Sequence, residues 1–375
     1  MLYLVDASIY VFRAWFSLPD SMTDPAGRPI NALYGFARFL GDLLVAESPS
    51  SIGVAFDTSL TTSFRNEIYP PYKANRPLPP PELEYQFALC RELCRHLGVA
   101  EFASPRFEAD DIIGGLARRA RSEGHPVTVV SADKDLAQLL REGDVMLDPA
   151  RERRLGYRDI APEYGVRPEQ IPDLLALMGD AVDNIPGVPG IGRKTAVTLL
   201  GAFADLDALY EDLDRLSELK LRGAARIARL LTEHRDQAFL ARQLAIIAEE
   251  TDVEARASAL ARRRPDLTAL GAFYDALGVG DVLRVRASSL ASSHTDVPGD
   301  RCEAPTPVPA STLPLFHASP SDGPADWQAI AEAVREDGGP VLDPTDVKPV
   351  SGGCIHGTFR VGGEEGGYFV KRNDA

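Results

Sequence analysis

The sequence predicts an α/β protein in which an open parallel sheet is followed by a helical region. Three observations lead there. Continuous apolar runs at 2–5, 52–56 and 126–131 have the character of strands buried on both faces. Helical periodicity at about 31–47, 82–97 and 109–123 alternates with these runs, which is the pattern of a parallel sheet with crossover helices. Residues from about 205 to 283 are rich in Leu, Ala and Arg and read as helical throughout.

Each strand delivers acid at its carboxyl end. Leu2-Tyr3-Leu4-Val5 ends in Asp6, Ile52-Gly53-Val54-Ala55-Phe56 ends in Asp57, and the third run is followed by Ala132-Asp133-Lys134-Asp135. Open α/β sheets bind ligands just outside these strand ends, so the acids are expected to converge. They meet a fourth group, because Glu108-Ala109-Asp110-Asp111 opens the helix that runs to about Gly124. The positive end of the helix dipole offsets part of the repulsion among three acids in four positions, and a cation must supply the rest. Hard oxygen ligands suit Mg²⁺ or Mn²⁺. Taken alone, the 108–111 segment also fits an ordinary acidic helix start; three acidic strand ends beside it favour a metal site.

Between Asp57 and the helix at 82, Ser63-Phe64-Arg65 and Tyr69-Pro70-Pro71-Tyr72-Lys73-Ala74-Asn75-Arg76 alternate basic and aromatic residues. Such a segment suits contact with phosphates and stacked bases. A polar loop whose tyrosines cover the core fits the same composition. Val145-Met146-Leu147-Asp148 reads as a further edge strand and Pro168 to Gly179 as a helix, at whose end Asp180 and Asp183 would share one side. Gly187-Val188-Pro189-Gly190-Ile191-Gly192-Arg193-Lys194-Thr195-Ala196 is a glycine turn opening another helix. Its backbone can approach a phosphate closely, with Lys194 and the helix N-terminus supplying positive potential. It is not a nucleotide P-loop, because Arg193 intervenes between Gly192 and Lys194-Thr195. Lys220, Arg222, Arg226 and Arg229 could form a face that tracks DNA or a solvated helix face.

A length of 375 residues with 45% apolar content suggests roughly two or three domains with sizeable cores. The formal net charge of −15 argues mildly against a polyanionic partner unless metal ions and local cations make the contacts. Cys90, Cys94, Cys302 and Cys354 form no CxxC pair and have no His at ligand spacing, so reduced thiols are expected. With no basic leader and no run of spanning length, a cytoplasmic protein with no membrane partner is expected.

Over residues 1–285 the chain resembles the 5′ nucleases of the flap-endonuclease family, including the 5′-3′ exonuclease domains of bacterial DNA polymerases. The matching blocks occur in order: Leu4-Val5-Asp6, Ala55-Phe56-Asp57, Ser63-Phe64-Arg65, Tyr72 to Arg76, Glu108 to Asp111, Ala132 to Asp135, Gly179-Asp180 with Asp183-Asn184, and the glycine turn through Ala196. The resemblance implies a PIN-like parallel sheet flanked by helices, followed by a helix-three-turn-helix DNA-binding subdomain. It also implies structure-specific hydrolysis of DNA phosphodiesters with two or more divalent metals. One cluster would draw on Asp6, Asp57, Glu108, Asp110 and Asp111, the other on Asp133, Asp135, Asp180 and Asp183. Lys73 and Arg65 would neutralise charge developing on the phosphate, and Tyr72 would stack on the terminal base. Arg76 and the turn residues Gly187, Gly190, Gly192, Arg193, Lys194 and Thr195 would hold DNA, with K⁺ at the turn. The expected partner is DNA with a junction of 5′ single strand and duplex, bound by a monomer with no obligate protein partner. A PIN-like ribonuclease and a non-catalytic branched-DNA-binding module are the alternatives.

The expected organisation is a nuclease core at 1–165 with an arch at about 60–95, a helical subdomain at 166–287, a disordered linker at 288–325 and a tail at 326–375. The tail is expected to open with a helix at Asp326 and to continue as a glycine turn and hairpin. It resembles the first strands of a fructosamine-kinase-like protein, with Lys371 at the position of the strand lysine. The lobe that would carry the rest of a kinase site has no counterpart in this sequence.

Overall fold

The computed structural model describes residues 1–58, 62–219, 221–253, 255–292, 342–350, 357–363 and 366–372. Residues 288–292 of the expected linker continue a helix instead, and the rest of it from 293, the helix expected at 326–330 and the glycine turn at 351–356 lie outside the described residues, as does Lys220. Two compact units separate at residue 284.

In the first unit, β1 (Leu2–Asp6) leads directly into α1 (Ala7–Ser17) and then α2 (Asn31–Glu47). β2 (Ser51–Asp57) is followed by the short α3 (Phe64–Ile68), α4 (Pro81–His96), β3 (Ala100–Ser104), α5 (Ala109–Ser122) and β4 (Val127–Val130). β5 (Val145–Asp148) and β6 (Arg153–Gly156) complete the sheet. Its order is β3-β2-β1-β4-β5-β6, parallel except for β6. The strand order therefore reverses between β1 and β4. The crossovers on either side diverge there and leave a crevice at the carboxyl ends, the place where open sheets bind ligands.

Two strands of this sheet were not expected from the sequence, nor were α1, α3 and a helix at Tyr157–Tyr164. β3 carries Glu101 as its second residue and is only partly buried along most of its length, as befits a sheet edge; it has no continuous apolar run to betray it. β6 is the opposite edge, and its two arginines hide it in the same way. α1 starts at the residue after Asp6, leaving no loop as a boundary signal.

Strand alternation decides which acids meet. Leu2, Leu4 and Ala55 pack with Ile112, Ile113 and Leu116 of α5 and with Val127 and Val129 of β4. Two residues further along each strand, on the same face, come Asp6, Asp57 and Ser131. On the other face Phe56 meets Phe36 of α2 and Phe87 of α4, with ring centroids 5.7 and 6.4 Å apart.

The chain then becomes helical: α6 (Tyr157–Tyr164), α7 (Ile171–Met178), α8 (Arg193–Ala202), α9 (Leu206–Glu211), α10 (Ala224–Glu233), α11 (Arg235–Ala245), α12 (Leu267–Ala276) and α13 (Asp281–Ser292). α7 is the expected helix, entered through a 3₁₀ turn at Pro168–Gln170. Asp180 and Asp183 lie beyond its end, in a turn closed by backbone pairing of Asp180 with Ile185. Two glycines make the neck of this turn: a Cβ on Gly187 would sit 2.3 Å from the Gly179 nitrogen and one on Gly179 would sit 2.6 Å from the Gly187 nitrogen.

The second unit contains an antiparallel three-stranded sheet, β7 (Leu342–Val350), β8 (Gly357–Gly363) and β9 (Gly366–Arg372), one strand more than the expected hairpin. Lys371 pairs in register with Thr358. No helix among the described residues is long and apolar enough to cross a membrane.

Gly187→Ala is expected to lower stability by about 1–3 kcal/mol, the usual cost of overpacking against an unyielding neighbour, because the new methyl meets backbone rather than a side chain. Urea unfolding of the two proteins measures it.

Candidate active site

A chain of short contacts assembles the acids at the β1/β4 crevice. Ser131 Oγ donates to Asp6 Oδ2 at 2.9 Å and accepts from the Asp133 amide at 3.0 Å. Ser8 Oγ accepts from the Asp57 amide, and Asp57 Oδ1 accepts from the Ala109 amide at 2.8 Å, so β2 holds the first turn of α5. Asp133 caps the 3₁₀ turn at Lys134–Leu139 by accepting from the Asp135 amide. Asp180 accepts from the Val182 amide and faces Lys134 Nζ at 3.4 Å.

Two kinds of carboxylate result. Glu108 is ringed by cations and donors: Lys73 Nζ at 2.8 Å, the Tyr72 hydroxyl at 3.1 Å and Arg65 at 3.5 Å. Burial pushes its pKa upward, but the charges of Lys73 and Arg65 outweigh that and bring it down to about 2. Asp183 is paired with Arg76, with Lys73 3.8 Å away. Asp6, by contrast, is driven up to about 7 by burial and by the charges of Asp57 and Asp133. Burial, then the charges of Asp6, Asp133 and Asp57, raise Asp110 well above its ordinary value, and burial followed by Asp133 does so for Asp135. Asp135 Oδ1 is a buried oxygen with no hydrogen-bond donor.

These crowded carboxylates fit divalent cations. A buried oxygen with no hydrogen-bond donor, Lys134 Nζ standing 3.7 Å off, and raised pKa values mark negative charge that the protein neutralises only in part. Among the described residues no three acidic, His or Cys side chains converge into a ready-made cage.

Three sequence expectations change. Asp111 is fully buried and saturated: its Oδ1 accepts from Arg65 and the Ala248 amide, its Oδ2 from Arg65 and the Glu108 amide. No lone pair remains for a metal. Arg65 is 2% exposed, and all five of its donors are used, on Asp111, Glu108 and the carbonyls of Leu244 and Ile246. It ties the core to the chain leaving α11 and cannot reach a phosphate. Tyr72 is 3% exposed, packed in the core with its hydroxyl on Glu108 and Asp183, so its ring is closed to base stacking. Of the two readings open for this segment, the structure supports a tyrosine that covers the core.

Lys73, Asn75 and Arg76 instead bind the 180–184 turn. The Lys73 amide donates to the Asp183 carbonyl, Asn75 Nδ2 to Ala181 O and Arg76 Nε to Val182 O, while Asn184 Nδ2 reaches Pro71 O. Lys73 and Asn184 both have positive φ, 54° and 55°, at this contact, a conformation that non-glycine residues adopt only where surroundings enforce it.

At the glycine turn, Met178 and residues 187–192 line a shallow hollow of about 510 Å³. Gly190 is left-handed (φ 82°), and Gly192 starts α8 with no side-chain cap, so the first amides of the helix are free for an anion. Lys194 is exposed beside them and Thr195 half-buried. Arg193 turns away to the Tyr164 carbonyl, and the Gly187 carbonyl accepts from Gln237. The Arg226 guanidinium lies over Gly190, 3.2 Å from where a Cβ would be, which makes it a candidate the glycine motif alone does not reveal.

Comparison with known proteins gives a consistent result. Residues 1–165 match the family described as 5′-3′ exonuclease, N-terminal resolvase-like domain, and residues 166–268 match 5′-3′ exonuclease, C-terminal SAM fold. The chain is 41% identical over 285 residues to DNA polymerase I of Bacillus caldotenax, covering 74% of this chain and 31% of that protein. It is 34% identical over 269 residues to a 5′-3′ exonuclease of Aquifex aeolicus, covering 72% of this chain and 89% of that one. The chain thus spans about a third of the length of the polymerase relatives. Among solved structures, T5 5′-exonuclease with bound zinc aligns with a TM-score of 0.52 at 22% identity over 78% of this chain and 98% of its own. Human GEN1 in complex with Holliday junction DNA aligns with a TM-score of 0.51 at 11% identity over 100% and 87%. At these identities the likeness is one of fold.

Two measurements test the electrostatics. Arg65→Met leaves Asp111 buried and unpaired and is expected to cost about 3–5 kcal/mol in urea unfolding, the usual penalty for removing one partner of a buried ion pair. For Asp6 the folded state holds its proton up to about pH 7, whereas the unfolded chain releases it near 4. Its contribution to stability is therefore present at low pH and lost as pH rises through that window. A cation that neutralises the cluster must restore stability most at the upper end. Melting curves with EDTA and with Mg²⁺ are expected to differ more near pH 7.5 than near pH 5.

Proposed function

This chain belongs to the 5′-3′ exonuclease family, and on that premise we propose that it is a metal-dependent nuclease that hydrolyses DNA phosphodiesters at junctions of 5′ single strand and duplex. The observation that carries the reading is the group of crowded carboxylates at the sheet's switch point, buried Asp6 with half-buried Asp57, Asp110 and Asp133, beside Asp135 and Asp180 on Lys134.

Glu108 with Asp6, Asp57 and Asp110 would hold one Mg²⁺ or Mn²⁺, and Asp133, Asp135, Asp180 and Asp183 the other. Bound there, such ions supply an activated water and stabilise the leaving oxygen of a phosphodiester. The chain's own part is to place charge. Lys73 reaches both Glu108 and Asp183, so small movements of its flexible stem would carry its ammonium to a phosphate oxygen lying between them. Arg76 on Asp183 is the second cation at that rim. Arg65 and Tyr72 act from behind, fixing Glu108 in place. The uncapped start of α8, with Lys194 and Arg226, would grip the duplex backbone, and the hollow at the glycine turn would take K⁺. These local cations answer the net charge of −15, since the carboxylates become attractive to DNA only when loaded with metal.

The test is cleavage of an end-labelled 5′-flap duplex by wild type and Asp133→Ala, with and without Mg²⁺. Mg²⁺-dependent cutting near the junction, abolished in the variant while gel-shift binding persists, is expected. Binding without cutting by wild type would point instead to a non-catalytic module.

A further inference from the structure

We infer that Arg262, Arg263 and Arg264 form a second phosphodiester-backbone contact, at the end of the sheet remote from the carboxylates. The inference rests on the nuclease reading above. After α11 the chain returns along the amino ends of the strands, where Ala261 bridges Ser51, the first residue of β2. The Arg262 amide donates to Ser50 O, the Arg263 amide to Gly98 O and the Asp266 amide to His96 O, each at 2.9 Å. This backbone is held in place by design of its neighbours: Gly98 has φ 72°, and a Cβ there would sit 2.3 Å from the Arg263 carbonyl oxygen.

On this rigid track stand three consecutive arginines, Arg263 and Arg264 exposed and Arg262 half-buried. None of their guanidinium groups has a side-chain hydrogen bond or ion pair among the described residues, in contrast to Arg65, Arg76, Arg121, Arg141 and Arg242, each of which holds a carboxylate. The carboxylates nearby are already engaged. Glu101 binds Arg91 and Arg95, Glu92 binds His96, and Asp266 caps α12. Burial without a counterion lowers the pKa of Arg262, so its charge is desolvated with nothing in return until an anion arrives. In a chain of net charge −15, an uncompensated run of three arginines is the exception.

The chemistry that satisfies it is a row of phosphates. Arginine binds phosphate oxygens bidentately, and consecutive guanidinium groups match a repeating anion better than a single carboxylate. β2 separates the row from Asp57 by about 20 Å at roughly 3.3 Å per residue, so a short junction substrate centred on the carboxylates does not reach it. A longer arm can.

The experiment compares wild type with Arg262→Ser/Arg264→Ser on two flap substrates in Ca²⁺, one with arms only long enough to fill the active site and one extended by a further turn or two of duplex or by a longer flap. The double variant is expected to bind the short substrate and cleave it in Mg²⁺ as wild type does. On one of the extended substrates it should lose about tenfold in affinity, and the slope of log K against log salt should shrink by about 1.8 for two duplex phosphates or 1.4 for single strand. That difference, and which extension restores the gap, identifies the arm. Arg262→Lys/Arg264→Lys should keep most of the slope, separating charge from fold damage, and unchanged melting confirms the fold. Equal affinities and slopes for wild type and the serine variant on every extended substrate would overturn the inference. If wild type neither binds nor cuts any flap substrate, it is the nuclease reading that fails.

Discussion

The buried pair of Arg65 and Asp111 is the constraint on which the site depends. It is costly to build, since both charges leave water, and it persists because every donor and acceptor is used. Its partners come from α3, from the first turn of α5 and from the chain leaving α11. Gln138 reinforces the same join, giving its amide NH₂ to Ala245 O and accepting from the Ile247 amide. The helical region is thereby fastened to the α/β core beside Glu108, and the approach to the carboxylates has a fixed shape.

From that anchor the carboxylates divide by their access to cations. Glu108 and Asp183 sit against Lys73 and Arg76 and carry charge the protein already balances. Asp6 and Asp110 have no ion pair among the described residues, Asp135 has Lys134 Nζ at 3.7 Å, and burial raises all three. A site that leaves some negative charge unpaired and pairs the rest with lysine and arginine side chains can exchange those cations for metal ions and substrate phosphate without rebuilding its backbone. The segment bearing Lys73 and Arg76 is pinned to the turn bearing Asp180 and Asp183 by the Lys73 amide and by the Asn75 and Arg76 side chains, which donate to that turn's carbonyls, so the two halves of the site hold a common register.

The glycines act at the same level. Gly179 and Gly187 allow two backbones to touch at the neck of the acidic turn, and Gly190 lets the chain turn left-handed under Arg226 before α8 begins. Their role is to bring carbonyls and amides close, which a sequence motif signals only as a need for small residues.

By itself the amino-acid sequence determined the strand and helix alternation, the acid at each strand end and the acidic start of α5, because buried parallel strands are apolar runs and ligands collect where they stop. Those regularities are local, with periods of two and 3.6, and so survive in the one-dimensional record. It did not reveal the edge strands β3 and β6, whose partial burial tolerates charge. Nor could it separate Asp110 from Asp111, or Lys73 from Arg65, since all four are charged residues within the same two motifs. Tertiary structure decided that, by bringing Leu244, Ile246 and Ala248 from more than a hundred residues away to take up Arg65 and Asp111. Whether a charge serves chemistry or architecture depends on which distant groups satisfy it, and that is fixed only when the chain has folded.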